Sequence, residues 1–283
     1  MRILVLGGTG KVGSVAVSEL VRSGADVRLL VRDPAKANVP GGVELVTGNL
    51  ENDDDVARAF AGVDRAGLVP PLHPQEGALL LRAVRAAARE EVERLALISV
   101  FRLEALPEAV HLTGKREAEA EIARLGIPSV VLRPNNFFQN DLMVLPMIAA
   151  GAYPVPLGPI GGHGVDTRDV GAALAKALLE DTVAAPRIPV VGAEGLSGPG
   201  AAAVWSRVLE REVRYVSSDL DAWAAGMRTH APGWLVDALL AMYRAVAANG
   251  TLAEPAEVAE TERFLGRPAR RYEDFVREAA AGL

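Results

Sequence analysis

The sequence of 283 residues predicts an α/β protein with a doubly wound parallel sheet and a small, mostly helical C-terminal lobe. The first observation is a short apolar run at residues 2–6 that ends in glycines and leads into an amphipathic stretch, as strand–turn–helix units do. The second is that further short apolar runs alternate with helical patterns up to residue 150. After Gly151 the patterns become loop-like and then helical. We therefore place a domain at 1–150 and a small lobe at 151–283, with segments of the lobe packing back on the sheet.

The predicted elements follow one another along the chain. Six strands are placed at residues 2–6, 26–31, 43–46, 63–69, 94–100 and 127–132. Helices between them are placed at 14–23, 53–60, 77–91 and 107–125. Beyond residue 150 we expect a helix at 169–179, a candidate strand at 188–191, and helices near 198–210, 219–229, 233–248, 255–265 and from 272 onward. We expect a substrate pocket where the lobe meets the sheet.

The glycine turn after the first strand carries the strongest functional signal. Its glycines satisfy GxGxxG through Gly8, Gly10 and Gly13, and GxxGxxG when Gly7 is counted first. In dinucleotide-binding proteins such glycines make the tight turn, let backbone approach a pyrophosphate, and let the helix pack on the strand. The N-terminus of the following helix presents N–H groups and a positive dipole end to the phosphates. The turn therefore predicts a dinucleotide site.

The residues after the second strand indicate which dinucleotide the protein binds. Arg32 follows that strand, where a protein that prefers NAD carries an acidic residue for the ribose 2′-hydroxyl. A guanidinium suits a 2′-phosphate, which favours NADP, although an ordinary solvated arginine gives the same pattern. Asp33 before Pro34 is interpreted as a helix cap. Lys36, one turn later, supplies a second cation.

Other candidate ligand contacts follow the third and fourth strands. Asn49 is placed to reach the adenine side of a dinucleotide. Pro70 belongs to a proline-rich loop at the carboxyl end of the fourth strand, where ligand crevices form. His73 in this loop is a candidate substrate contact, and a surface histidine beside prolines is the equally simple alternative.

Composition excludes several classes of protein. A net charge of −6 without a basic block does not suggest nucleic-acid binding. Without cysteine there is no disulfide, thiolate nucleophile or zinc–thiolate site, and no metal site is predicted. Neither a signal peptide nor a membrane-spanning apolar run is recognised, so we expect a soluble cytoplasmic protein. Only four of the thirty basic residues are lysine: Lys11, Lys36, Lys115 and Lys176.

Taken together, the motifs resemble the NmrA-like branch of the atypical short-chain dehydrogenases. The residues that carry the resemblance are the glycine turn, 31–34, 69–71, Ser99, Lys115, 132–134 with Asn136 and Phe137, 165–170, 265–268 and Phe275. The resemblance implies a Rossmann domain that binds NADP(H) and a small C-terminal lobe. Members of the family include NADPH-dependent quinone and azo reductases, benzylic ether reductases and non-catalytic redox-sensing regulators.

One departure from the wider short-chain dehydrogenases concerns catalysis. Those enzymes carry Tyr-x-x-x-Lys on the helix after the fifth strand, and here His111 stands where the tyrosine would be, four residues before Lys115. The resemblance implies that Lys115 holds the nicotinamide ribose. His111 is a candidate proton donor, with capping, packing or solvent exposure as alternatives. Ser99 is a candidate for polarising an acceptor oxygen, and a hydroxyl bonded to backbone is the alternative.

These observations lead to a set of expected contacts. The catalytic candidates are Lys115, His111 and Ser99, and the substrate candidates are His73, Phe137 and Phe138. The expected cofactor contacts are Gly7, Thr9, Gly10, Lys11, Val12, Gly13, Arg32, Lys36, Asn49, Leu50, Pro70, Lys115, Pro134, Asn136 and Phe137.

Two functions of different classes remain open. The first is an NADPH-dependent reductase that transfers a hydride to an electron-poor acceptor, such as a quinone or a conjugated enone, since such acceptors delocalise the incoming charge. The second is a non-catalytic NADP(H) sensor that binds a protein partner, and an epimerase is less plausible without the tyrosine. For the reductase we expect an aromatic or quinone-like small-molecule substrate and a monomer or homodimer.

Overall fold

A computed structural model describes residues 1–106, 110–181 and 185–283, and leaves the side chains of Val110 and His111 outside the description. Seven strands form the central sheet: β1 Arg2–Leu6, β2 Asp26–Val31, β3 Glu44–Thr47, β4 Arg65–Leu68, β5 Arg94–Ile98, β6 Ser129–Pro134 and β8 Arg187–Val190. Their order in the sheet is β3-β2-β1-β4-β5-β6-β8. Neighbouring strands from β1 to β6 pair in parallel. A separate two-stranded sheet pairs β7 Ala152–Tyr153 with β9 Arg214–Tyr215.

Helices alternate with these strands and then dominate the last part of the chain. They are α1 Lys11–Arg22, α2 Asp53–Phe60, α3 Glu76–Arg89, α4 Val110–Leu125, α5 Leu145–Ala149, α6 Thr167–Leu179, α7 Gly198–Val208, α8 Leu220–Met227, α9 Gly233–Asn249, α10 Pro255–Leu265 and α11 Tyr272–Ala280. Short 3-10 turns occupy Pro34–Lys36, Leu103–Ala105 and Phe138–Met143. The predicted doubly wound α/β fold with a helical C-terminal region is confirmed. Residues 107–109 of the predicted helix 107–125 lie outside the described residues.

The chain divides into two compact units that are not contiguous in sequence. The first comprises Met1–Val100, Val110–Arg133 and Thr167–Ile188, and the second comprises the rest of the described chain. The expected boundary at residue 150, with later segments packing back on the sheet, stays a prediction. Helix α6 and the first two residues of β8, Arg187 and Ile188, belong to the first unit.

Arginines near the amino ends of the strands hold the C-terminal ends of helices. Arg28 of β2 donates to the backbone oxygens of Ala59 and Ala61 at the end of α2, at 3.0 and 2.7 Å. Arg65 of β4 donates to Leu178 at the end of α6, at 3.0 Å, and to the carboxylate of Asp181 at 2.7 Å. A cation at this end of a helix satisfies orphan carbonyls and opposes the helix dipole.

The second unit is organised around a buried carboxylate. Asp141 is 2% exposed and accepts hydrogen bonds from Tyr153 and from the indole of Trp205, both at 3.0 Å, and from Tyr272. Burial raises the pKa of Asp141, and the three hydrogen bonds oppose that rise. Because a buried charge without partners is costly, the three donors are what make this core position tolerable.

Helices α3 and α4 approach so closely that only glycine fits where they meet. A Cβ atom placed on Gly114 of α4 would lie 2.7 Å from both the Cα and the N of Gly77 in α3. These are backbone atoms that cannot turn aside. The contact brings the residues beside the two glycines, Lys115 and Glu76, face to face.

Within residues 1–106, 110–181 and 185–283 no helix is both long enough and apolar enough to cross a membrane. In the same three ranges no three metal-ligating His, Cys, Asp or Glu side chains come together.

We expect Gly114→Ala to destabilise the protein by about 1–3 kcal/mol, because the added methyl group overpacks against the backbone of α3. Urea unfolding followed by circular dichroism measures the change. Gly226→Ala is the matched helical control, because nothing lies within 4 Å of a Cβ at Gly226 in α8. Alanine there should be neutral or stabilise by about 0.5–1 kcal/mol, from helix propensity alone. Equal effects of the two substitutions would contradict the close approach of α3 and α4.

Candidate functional site

The glycine turn between β1 and α1 is closed by backbone contacts. The amide of Gly10 donates to the carbonyl of Gly7 at 3.0 Å. Gly7 has φ +76°, and a Cβ there would lie 2.7 Å from the carbonyl oxygen of Val69. A Cβ on Gly13 would lie 2.2 Å from the carbonyl oxygen of Gly7. Gly7 and Gly13 are therefore required by the packing of the turn itself.

Gly10 differs from these two glycines because the protein leaves room beside it. It lies in the extended region, with φ −82° and ψ 175°, and a Cβ there would meet only the Gly7 oxygen, at 3.3 Å. Thr9, Gly10 and Lys11 are exposed, whereas the side chain of Val12 is buried. Gly10 is the N-cap residue of α1 and has no side chain to cap the helix, and the first turn of α1 contains no acidic residue. Its N-terminus is thus suited to an anion.

Arg32 stands directly after the last residue of β2 and is exposed to solvent. The carboxylate of Asp33 accepts from the amide of Ala35 at 3.1 Å, which confirms that Asp33 is a cap. Lys36 lies 3.4 Å from Asp33, and its side chain is 85% exposed. Asp33 is thus engaged by the cap and by Lys36. Among the described residues, no ion pair of Arg32 is found.

A run of contacts continues along the carboxyl edge of the sheet from β3 to the loop after β4. Both groups of the Asn49 amide pair with Glu51, which accepts from Nδ2 at 3.3 Å and donates its own amide to Oδ1 at 3.2 Å. Glu51 in turn lies 3.3 Å from Nε2 of His73. Nδ1 of His73 accepts the amide of Gln75 at 3.1 Å. Both ring nitrogens of His73 are thus engaged within this edge.

Two other expected contacts lie along the same edge. Pro70 follows Val69, which packs against the glycine turn, and is half-buried. The side chain of Leu50 packs partly against the core cluster between the sheet and helices α2, α3 and α4, while its carbonyl accepts from Arg82 at 2.9 Å. The predicted cofactor contacts of Asn49, Leu50 and Pro70 stay predictions.

Ser99, the candidate acceptor-polarising group, is buried beside a carboxylate. Its hydroxyl donates to Oε1 of Glu119 in α4 at 2.5 Å. Glu119 also pairs with Arg133 at 2.6 Å and with Arg187 at 3.2 Å. The hydroxyl proton of Ser99 is therefore committed to Glu119, and its role toward an acceptor stays a prediction. Sequence spacing offered no signal for Glu119, because its partners come from three separate strands and their exits.

Lys115 is buried and paired. Its ammonium lies 2.5 Å from Oε1 of Glu76, with the two side chains 10% and 2% exposed. Burial raises the pKa of Glu76, and the charge and hydrogen bond of Lys115 oppose that rise. His111 lies one helical turn before Lys115 in α4, and its side chain is outside the described residues. Glu76 is not among the site residues expected from the sequence, because its pairing with Lys115 depends on the packing of α3 against α4.

The remaining candidates, Pro134, Asn136, Phe137 and Phe138, belong to the second unit. Pro134 ends β6, and Oδ1 of Asn136 accepts from Asn140 at 2.9 Å. Phe137 is half-buried and forms a β-bridge with Val165. Phe138 is 4% exposed, and its ring packs in the aromatic core of this unit. The centroids of the Tyr272 and Phe275 rings lie 5.1 and 5.8 Å from the Phe138 ring.

Comparisons with known proteins give relatives of full length. An NAD(P)H azoreductase from Xenophilus azovorans is 31% identical, with 99% of each chain covered. A (4-alkanoyl-5-oxo-2,5-dihydrofuran-3-yl)methyl phosphate reductase from Streptomyces griseus is 32% identical, with 98% of each chain covered.

Solved structures share the fold at lower identity. An NADPH complex of an NADPH-dependent quinone oxidoreductase from Escherichia coli superposes with a TM-score of 0.86 at 20% identity, covering 98% of this chain and 99% of that one. A triphenylmethane reductase from Citrobacter with bound NADP(H) gives 0.87 at 18% identity, covering 98% and 99%. Residues 1–264 match the NmrA-like family as a whole. With this match across almost the entire chain, and with relatives above 30% identity over their full length, the protein belongs to the NmrA-like family.

Proposed function

We propose that this protein is an NADPH-dependent reductase that transfers a hydride to an electron-poor small molecule, such as a quinone or a conjugated enone. The observation that carries the proposal is the pair of full-length relatives from two organisms, both named as reductases and one as using NAD(P)H. The glycine turn and Arg32 supply the features that such a cofactor needs.

The residues of the first unit fit the phosphates of NADP(H). Gly10 leaves open the volume that a pyrophosphate would take, and the uncapped N-terminus of α1 lies beside it. Arg32 places a guanidinium after β2, where the 2′-phosphate of this cofactor would lie. When bound, the cofactor supplies the hydride. The part of this chain is to hold and orient it, and Lys115 is the proposed ligand of the nicotinamide ribose.

The nature of the acceptor follows from the proton donors that the chain offers. A plain ketone becomes an alkoxide on reduction and needs a proton donor placed beside its oxygen, which a tyrosine provides in related enzymes. Here position 111 is histidine, and the proton of Ser99 is held by Glu119. A quinone or enone spreads the added charge over a conjugated system and takes its proton from water or a weak acid. We therefore propose acceptors of this electron-poor kind.

A screen of NADPH oxidation tests the function directly. The purified protein is mixed with NADPH and a set of quinones, conjugated enones, azo dyes and plain ketones, and loss of the reduced nicotinamide is followed by absorbance. We expect turnover with the conjugated acceptors and little with ketones. Tight NADPH binding without turnover on any acceptor would instead favour the non-catalytic sensor.

We expect Gly10→Val to fold and to lose dinucleotide binding, because the branched side chain takes the volume needed by the pyrophosphate. Calorimetry with NADP⁺ measures the loss, and a thermal melt verifies folding. Gly13→Ala is the contrasting variant: its Cβ would lie 2.2 Å from the Gly7 oxygen, so it should lower stability itself. Wild-type affinity in a folded Gly10→Val protein would remove the glycine turn from the site.

We expect Arg32→Ala to weaken NADPH binding by about ten- to a hundredfold and to leave NADH binding nearly unchanged, since a charge-assisted contact contributes ~1.5–3 kcal/mol. Dissociation constants of both cofactors for both proteins provide the measurement. Arg22→Ala at the far end of α1 changes the net charge equally and serves as the control, because its side chain pairs with Glu19 at 2.5 Å. Equal affinity of the wild type for NADPH and NADH would refute the 2′-phosphate assignment.

A further inference from the structure

The pair between Glu76 and Lys115 is built into the crossing of two helices. Glu76 is the first residue of α3 and Lys115 lies in the first part of α4. The glycines beside them, Gly77 and Gly114, let the two backbones touch. The charged groups meet at 2.5 Å and are almost completely removed from solvent. A buried acid and base are tolerable here because each neutralises the other.

Backbone and side-chain contacts connect this pair to the edge where the cofactor is proposed to bind. The loop after β4 starts at Val69, whose carbonyl oxygen packs against Gly7. It ends where the amide of Glu76 donates to the carbonyl of His73 at 3.1 Å. One short loop thus runs from the glycine turn to the carboxylate that pairs with Lys115.

We propose that Glu76 is a positioning residue for Lys115: its carboxylate holds the ammonium at the place from which Lys115 contacts the nicotinamide ribose. The inference rests on the proposed NADP(H) site and assigns to that site a residue that no sequence motif marks. Glu76 itself touches neither cofactor nor substrate.

The physical reason lies in the lysine side chain. Four rotatable bonds let an unpaired lysine sample many positions, and fixing it costs conformational entropy. Its ammonium carries three N–H donors, and Glu76 accepts from one of them. A carboxylate at 2.5 Å fixes the position of the nitrogen, so the ordering cost falls on folding and not on cofactor binding.

Binding of two ligands distinguishes a positioning role of Glu76 from a general structural role. NADP⁺ contains the nicotinamide ribose, whereas adenosine 2′,5′-bisphosphate consists of adenosine with 2′- and 5′-phosphates and lacks the nicotinamide ribose. Glu76→Gln keeps the shape of the side chain and removes its charge. We expect it to weaken NADP⁺ binding about tenfold, less than the loss of a whole charge-assisted hydrogen bond because Lys115 is still present, and to leave the affinity for adenosine 2′,5′-bisphosphate unchanged.

Three further variants complete the experiment. Glu76→Asp keeps the charge but retracts it, and should give the same selective loss to a smaller degree while disturbing the fold least. In a Lys115→Met background, Glu76→Gln should have no further effect on NADP⁺ affinity, because Glu76 acts through Lys115. Glu121→Gln is the matched control. Glu121 joins the same two helices through Arg85 at 2.9 Å, and hydrogen bonds from Arg124 and Arg85 lower its pKa to about 2.

The outcomes distinguish this inference from the proposed function. Equal loss of both ligands, or no loss of NADP⁺ affinity in folded Glu76→Gln and Glu76→Asp proteins, would overturn the positioning role while leaving the cofactor site intact. A selective loss that persists in the Lys115→Met background, or that Glu121→Gln reproduces, would overturn it as well. Failure of the wild type to bind either ligand would overturn the NADP(H) site, and the role of Glu76 with it.

Discussion

The turn between β1 and α1 depends on backbone contacts that exclude any side chain. A Cβ on Gly13 would meet the carbonyl of Gly7, and a Cβ on Gly7 would meet Val69 in the loop after β4. These contacts place the N-terminus of α1 beside the carboxyl ends of two neighbouring strands. Several other residues proposed for the cofactor site lie along this edge. Arg32 follows β2, and the contacts of Asn49, Glu51 and His73 continue the edge.

The arginines at the two edges of the sheet have different roles. Near the amino ends of the strands, Arg28 and Arg65 are buried and hold the carbonyl ends of α2 and α6. Their guanidinium groups connect these helices to the sheet. At the carboxyl edge, Arg32 is exposed instead. A chain that uses arginine for nearly all its cations thus employs the same side chain for packing at one edge and offers it to solvent at the other.

The two catalytic candidates in the first unit with described side chains share one arrangement. Ser99 donates to Glu119, and Lys115 pairs with Glu76. In each case a buried carboxylate from a helix holds the polar group in a defined place. Such a carboxylate fixes the orientation of the polar group, and the hydrogen bond that it accepts uses an O–H or N–H that the group could otherwise donate to a ligand. The arrangement suits chemistry in which the chain orients a cofactor and leaves little proton transfer to its own hydroxyl groups, as expected of electron-poor acceptors.

The alternation of strands and helices, the glycine turn and the cap at Asp33 could all be predicted from the sequence, because each depends on neighbours along the chain. Apolar runs, glycine spacing and Asp-Pro are local patterns. The sequence did not reveal that β8 joins the main sheet as its seventh strand, nor that β7 and β9 pair, because the partner of a strand is set by tertiary packing. The partners of Lys115 and Ser99 became evident only in the folded protein. Glu76 precedes Lys115 by 39 positions, and Glu119 follows Ser99 by 20. Such pairs form only when packing brings distant helices and strands together, as the contact of Gly77 with Gly114 does for α3 and α4.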